Sequence, residues 1–263
     1  MKRLACLATA MVAAALLTGQ IHAGTAQSSY AAAGKMTDNA GGGADVRGES
    51  PVLIATGDFN GDGIADLVEA TWAERYGSGS GTYSLTVLLG QADGKFSRVA
   101  LQRSIGGDPR ALVVGDFNGD GRPDVLVGDG NGAVEEFLGD GKGDMVDSGE
   151  IAKLGSVASM ATGHFTHSGD FDLVVSDSGS NSAVIFLGTG KGTFRRTWSF
   201  RLPRMGREFH VATADFNKDG IDDLLIGSDE DDDYEVMLGN GNGTFTYAPA
   251  LSRVRDPNSY CPS

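Results

Sequence analysis

Three stretches of the chain place oxygen-bearing side chains at alternate positions of a glycine-rich loop: Asp58-Phe59-Asn60-Gly61-Asp62-Gly63-Ile64-Ala65-Asp66, and the matching segments from Asp116 to Asp124 and from Asp215 to Asp223. That density of carboxylate and amide oxygen suits a hard cation. Calcium takes about six to eight oxygen ligands, and a tight loop with acidic residues at alternate positions and a glycine after the third can wrap one ion. The expected side-chain ligands are Asp58, Asn60, Asp62 and Asp66 in the first loop, with the carbonyl of Ile64 at the seventh position. In the second they are Asp116, Asn118, Asp120 and Asp124 with the carbonyl of Arg122, and in the third complete copy Asp215, Asn217, Asp219 and Asp223 with the carbonyl of Ile221. Without an ion the three carboxylates of each loop repel one another, so Ca²⁺ is expected at three sites. A related stretch at 163–173 carries His164, Thr166 and Ser168 in place of the first three donors and keeps only Asp172, so the loop His164–Asp172 is expected to be empty. The bland alternative for the whole pattern is an Asx-rich turn without metal. An EF-hand does not fit, because no Glu stands at position 12 and the flanks read as strands.

The loops recur at intervals of roughly 50 residues, about the length of one propeller blade. A second signature follows each: LLGQADGKF at 88–96, FLGDGKGDM at 137–145, FLGTGKGTF at 186–194 and MLGNGNGTF at 237–245. Each is apolar at both ends with Gly, Asn or Asp between, the composition of a turn joining two strands. Runs such as ALVVGDF and DVLVG are nearly continuous in apolar residues, as expected for inner strands covered on both faces. The reading is an all-β propeller of four tandem four-stranded blades over 51–254, with blades at about 51–105, 110–154, 157–202 and 208–254. The first repeat is longer, and the Gly/Ser-rich stretch Ala73–Ser84 is read as an extended hairpin loop.

The DFN-x-DG-x-x-D loops combined with LG-x-G-x-G-x-F turns resemble the FG-GAP and VCBS repeats, the first typified by the integrin α-subunit propeller. The match covers residues 51–254. It implies a β-propeller with calcium held between the two inner strands of a blade, where it stabilises the structure instead of doing chemistry. Propellers of that kind usually have seven blades, whereas four repeats are visible here. Three arrangements remain open: four blades closing by themselves, two chains sharing a larger ring as a homo-oligomer, or a truncated relative of a longer protein.

The chain has 263 residues, 40 glycines and a formal net charge of -14, with 35 acidic against 21 basic residues. Such a surface repels nucleic-acid phosphates, so no nucleic-acid partner is expected. Lys2-Arg3 followed by an apolar run from Leu4 to Leu17 and small residues to Ala23 has the layout of a secretory signal peptide, 1–23, and the run is short for a membrane span. Residues 24–50 read as a flexible Gly/Ala/Ser-rich leader and 255–263 as a tail. The protein is therefore expected to be secreted, periplasmic or extracellular, with no membrane span after cleavage. Cys6 falls in the signal, leaving Cys261 alone and no internal disulfide.

Few residues suggest catalysis. The Gly188–Thr193 segment lacks phosphate-loop spacing, and no nucleophile elbow, zinc-protease or paired-cysteine motif occurs. His164, His167 and His210 all lie beside repeat motifs, where structural roles are expected. The acidic run Asp231-Asp232-Asp233 reads as a solvated loop, and Trp72, Trp198, Tyr76 and Tyr83 are too scattered to define a sugar-stacking platform. The expectation is a non-catalytic calcium-binding adhesion module for an extracellular glycan or protein. The alternatives are the propeller domain of a polysaccharide-acting hydrolase or lyase, and a structural or truncated repeat unit without its own ligand.

Overall fold

The computed structural model describes residues 49–74, 81–98, 103–201, 209–228 and 234–249. The expected signal and tail, the expected leader up to residue 48, both cysteines, Tyr76 and the Asp231–Asp233 run lie outside them, while Glu49 and Ser50, read as the end of the leader, open the first strand. The described residues form strands and turns only, in four separate antiparallel sheets. The first contains β1 (Glu49–Gly57), β2 (Asp66–Glu74), β3 (Gly81–Gly90) and β4 (Phe96–Arg98) in sequential order, with β5 (Arg103–Ile105) added alongside β3. The second is β6 (Pro109–Gly115), β7 (Asp124–Asp129), β8 (Ala133–Gly139) and β9 (Met145–Lys153). The third is β10 (Val157–Gly163), β11 (Asp172–Asp177), β12 (Ser182–Gly188) and β13 (Phe194–Arg201). The fourth is β14 (Phe209–Ala214), β15 (Asp223–Ser228), β16 (Tyr234–Gly239) and β17 (Phe245–Tyr247). These are four propeller-type blades, and the all-β expectation holds.

The apolar patterning explains which strands lie inside. In β7, β11 and β15 all six residues are buried, matching runs such as DVLVGD that lack polar alternation. A strand buried on both faces has no reason to alternate. The outer strand β9 is exposed at most positions and carries the charges of MVDSGEIAK.

One expectation needs correction. The stretch Ala73–Ser84 is not a loop throughout, because β2 continues to Glu74 and β3 resumes at Gly81, with Trp72 opposite Tyr83 and Ala73 opposite Thr82. Thr and Tyr favour the pleated surface, and cross-strand pairing overrides the Gly/Ser composition that suggested a loop.

The blades group into two compact units. In the first unit, Leu53, Val68 and Leu85 of the first sheet share a core with Leu112, Val125 and Phe137 of the second. In the other, Phe165, Val174 and Ile185 of the third sheet pack with Val211, Leu224 and Phe245 of the fourth. Each such side chain contributes about 1.5–3 kcal/mol through burial, so sheet-to-sheet packing dominates the stability of both units.

Register sets the loops. The ninth residue of each Asp-rich stretch opens the second strand and faces the last residue of the first: Gly57 opposite Asp66, Gly115 opposite Asp124, Gly163 opposite Asp172 and Ala214 opposite Asp223. The glycine turns in turn join third to fourth strands, with Gly90 opposite Phe96 and Gly139 opposite Met145.

Candidate functional site

The first loop is folded by its own donors. Asp58 accepts the N–H groups of Gly61 and Asp62 on Oδ1 at 2.8 and 3.1 Å, and that of Gly63 on Oδ2 at 2.9 Å. Asn60 Oδ1 accepts the N–H of Asp62 at 2.9 Å, its amide donates to Asp62 Oδ2 at 2.9 Å, and Asp62 Oδ1 accepts the N–H of Ile64 at 2.8 Å. The last complete loop repeats this. Asp215 accepts from Asp219 and Gly220, Asn217 pairs with Asp219 in both directions, and Asp219 accepts from Ile221. In the second loop Asp116 accepts from Asp120 and Gly121, and Asp120 accepts from Arg122 at 3.0 Å and faces its guanidinium at 3.8 Å. Short Asp and Asn side chains bond readily to backbone N–H groups two to five residues on, which makes them loop formers with or without an ion.

The ninth position behaves differently. Asp66, Asp124, Asp172 and Asp223 are completely buried. Asp66 accepts the N–H of Phe59 on one oxygen and that of Gly90 on the other, both at 2.8 Å. Asp172 does the same with Phe165 and Gly188, Asp223 with Phe216 and Gly239, and Asp124 accepts from Gly139 at 2.9 Å. The carboxylates of Asp66, Asp172 and Asp223 thus tie the start of the Asp-rich loop to the end of the third strand, and that of Asp124 reaches the same strand end. This accounts for Asp172, which persists in a loop that has lost its other acids: a bond to two backbone donors needs no metal. Burial pushes its carboxyl up to about 6, opposed by the two N–H bonds, and burial likewise raises that of Asp223.

Sequence reasoning passed over the partner glycines. At Gly90, Gly139, Gly188 and Gly239 an added Cβ would press onto the backbone carbonyl of Ala65, Pro123, Phe171 or Asp222, the eighth residue of the loop. The glycine of each LG pair is needed for that close approach. The signal was present in the repeated LG, but only the fold shows what it meets.

The third loop is held by protein groups. His164 Nδ1 lies 3.0 Å from the carbonyl of Asp170 and its ring stacks on Phe171 at 4.8 Å. Its N–H donates to Asp222 Oδ2 at 2.7 Å, and its carbonyl accepts the N–H of Asp222 at 3.0 Å. Thr166 and Ser168 bond to each other at 3.0 Å, and His167 Nδ1 sits 3.1 Å from the carbonyl of Gly241. Asp222, supplied by the fourth sheet, is a residue the sequence pattern did not single out.

The donor set at positions one, three and five of loops one, two and four is hard oxygen, as calcium requires, and these residues are partly or fully exposed. As they lie, however, the acids are turned to loop N–H groups, and among the described residues no three acidic, histidine or cysteine side chains converge on a point that would hold a metal.

The repeated loop, strand and glycine-turn geometry coincides with a known pattern. The FG-GAP-like repeat pattern matches residues 58–127, 116–175 and 164–226, and the FG-GAP repeat pattern matches residues 209–247. The chain belongs to the FG-GAP repeat family. The overlapping matches begin at Asp58, Asp116 and His164, the first positions of three loops, so the degenerate third loop is a true FG-GAP repeat. No curated protein matches the chain. FG-GAP repeats form propeller modules suited to binding, and the four sheets conform to that architecture.

Proposed function

We propose that this chain is an exported, non-catalytic recognition module in which calcium rigidifies three FG-GAP loops and the ligand is an extracellular glycan or protein. The observation that carries the reading is the threefold repetition of partly or fully exposed Asp, Asn and Asp donors at positions one, three and five on a shared backbone scaffold. Asp58, Asn60 and Asp62 would hold the first ion, Asp116, Asn118 and Asp120 the second, and Asp215, Asn217 and Asp219 the third. The carbonyls of Ile64, Arg122 and Ile221 and the ninth-position carboxylates of Asp66, Asp124 and Asp223 are the remaining candidates. Calcium would supply charge neutralisation and loop rigidity, with no part in bond breaking.

Isothermal titration of chelator-treated protein with Ca²⁺, followed by a glycan array read in calcium and in EDTA, tests both halves. Uptake of three ions with calcium-dependent, turnover-free glycan retention is expected. No uptake sinks the metal assignment, and release of cleaved sugar sinks the non-catalytic one.

A further inference from the structure

The third repeat closes its loop without the donors that mark loops one, two and four. At position one, His164 sets Nδ1 3.0 Å from the carbonyl of Asp170, the seventh residue of the loop. A carbonyl oxygen only accepts, so the ring nitrogen is the donor and carries its proton on Nδ1. In loops one, two and four the seventh carbonyl belongs to Ile64, Arg122 and Ile221, the backbone oxygen assigned above to an ion. His164 thus meets, with an N–H of its own, the oxygen that a cation would otherwise draw inward. Its ring is steadied by the stack on Phe171, with 26° between the planes. Thr166 and Ser168 bond to each other at 3.0 Å, where Asn60 and Asp62 pair in the first loop.

His164 is also clamped to the fourth sheet, which belongs to the same compact unit. Its N–H donates to Asp222 Oδ2 at 2.7 Å, and its carbonyl accepts the N–H of Asp222 at 3.0 Å. Asp222 is the eighth residue of its loop, where the second repeat has Pro123. Proline has neither an N–H nor a carboxylate, so Pro123 cannot make this two-way bond to the first loop. Gly163 leaves room for the clamp, since a Cβ there would stand 3.0 Å from Asp222 Oδ2. The following residues extend the contact. The carbonyl of Phe165 accepts the N–H of Gly243 at 3.1 Å, Thr166 forms a bridge with Asn242, and His167 Nδ1 lies 3.1 Å from the carbonyl of Gly241. None of these bonds needs an ion.

We propose that the His164 imidazole takes the place of the ion in the third repeat, so that this loop and its joint to the fourth sheet stay closed when calcium is withdrawn. Calcium then regulates the repeats unevenly: depletion loosens loops one, two and four and spares the third. The unevenness rests on the calcium reading above, whereas the closure by His164 does not. His164 is a positioning residue, and its working group is the Nδ1–H. A phenyl ring would keep the stack on Phe171 and lose the bond, while Asn carries an N–H donor on the same Cγ.

Hydrogen exchange of the full chain, read by mass spectrometry on peptides in calcium and in EDTA, tests this. The native segment 163–172 should exchange at one rate in both, whereas segment 57–66 should exchange about tenfold faster in EDTA. His164→Phe should speed exchange of 163–172 about tenfold in both conditions, and His164→Asn should stay within about threefold of native, as expected for one hydrogen bond lost or kept. Melting followed by circular dichroism checks the fold of each variant, and the native comparison and the Asn variant remain decisive even where His164→Phe melts early. Restoring the lost donors gives the converse: the triple variant His164→Asp, Thr166→Asn, Ser168→Asp should take up one calcium ion more than native in isothermal titration and protect 163–172 only with calcium present. A native third loop that needs calcium for its protection, a His164→Phe variant as protected as native, or a folded His164→Asn variant as exposed as His164→Phe would each overturn the proposal. Protection of the third loop in EDTA with no response to calcium at 57–66 would leave the His164 closure standing and sink the calcium reading instead.

Discussion

Lys218 is a residue in the wrong conformation for its type. It sits at φ 63°, at the loop position where the equivalent residues are Gly61 at 75° and Gly119 at 76°. A side chain in that left-handed region costs about 1–2 kcal/mol. Lys218→Gly should therefore stabilise the protein by about 1 kcal/mol in urea unfolding, the gain being trimmed by the greater freedom of glycine in the unfolded chain. Asp172 offers a second test. Its native carboxyl titrates near about 6, above the 3.8 of the ordinary group, because burial disfavours the charge. Its contribution to stability is thus fully present below about 3.8 and lost as pH rises through about 6. Carbon NMR of the side-chain carboxyl should show that midpoint, and Asp172→Asn should flatten the corresponding part of the stability profile.

At the scale of the element, the ninth-position carboxylate and the LG glycine form a clasp across each sheet. Removing Asp66 leaves the buried N–H groups of Phe59 and Gly90 without their acceptor, and each orphaned donor costs about 1–3 kcal/mol. Asp66→Ala should therefore unfold at markedly lower denaturant than Asp62→Ala, whose carboxylate is exposed, when both are measured in EDTA. Equal losses would mean that the clasp is unimportant. Gly139→Ala attacks the same joint from the other strand, since its methyl meets the carbonyl of Pro123. A loss of about 1–3 kcal/mol, the usual cost of overpacking, is the expected result. The Asp-rich motif is consequently two devices in one: a buried carboxylate at position nine, present in all four repeats and bonded in each to the glycine that ends the third strand, and a cluster of partly or fully exposed oxygens at positions one, three and five, present in three.

For the whole molecule the formal charge of -14 makes the calcium proposal measurable through stability. An ion bound only by the folded state stabilises by about 2.7 kcal/mol per site at a hundredfold excess over its dissociation constant. Adding calcium to chelator-treated protein should raise Tm by several degrees. A triple variant Asp62→Asn, Asp120→Asn, Asp219→Asn should abolish the rise while leaving the clasps intact. A native protein that melts at the same temperature in calcium and in EDTA contradicts the assignment.

Sequence alone established the repeat and the all-β class, because the fully apolar inner strands and the glycine turns are written locally and four times over. It also separated the degenerate third loop from the others by composition. It did not disclose that Asp66, Asp172 and Asp223 bond backbone groups both in their own loop and at the end of the third strand, since the acceptors' partners lie as far as 24 residues away in the chain. Nor did it single out Asp222, whose role depends on His164, 58 residues earlier, being brought beside it. Such partners are set by which segments the packed sheets bring side by side, a property of the folded chain that no local stretch of residues carries.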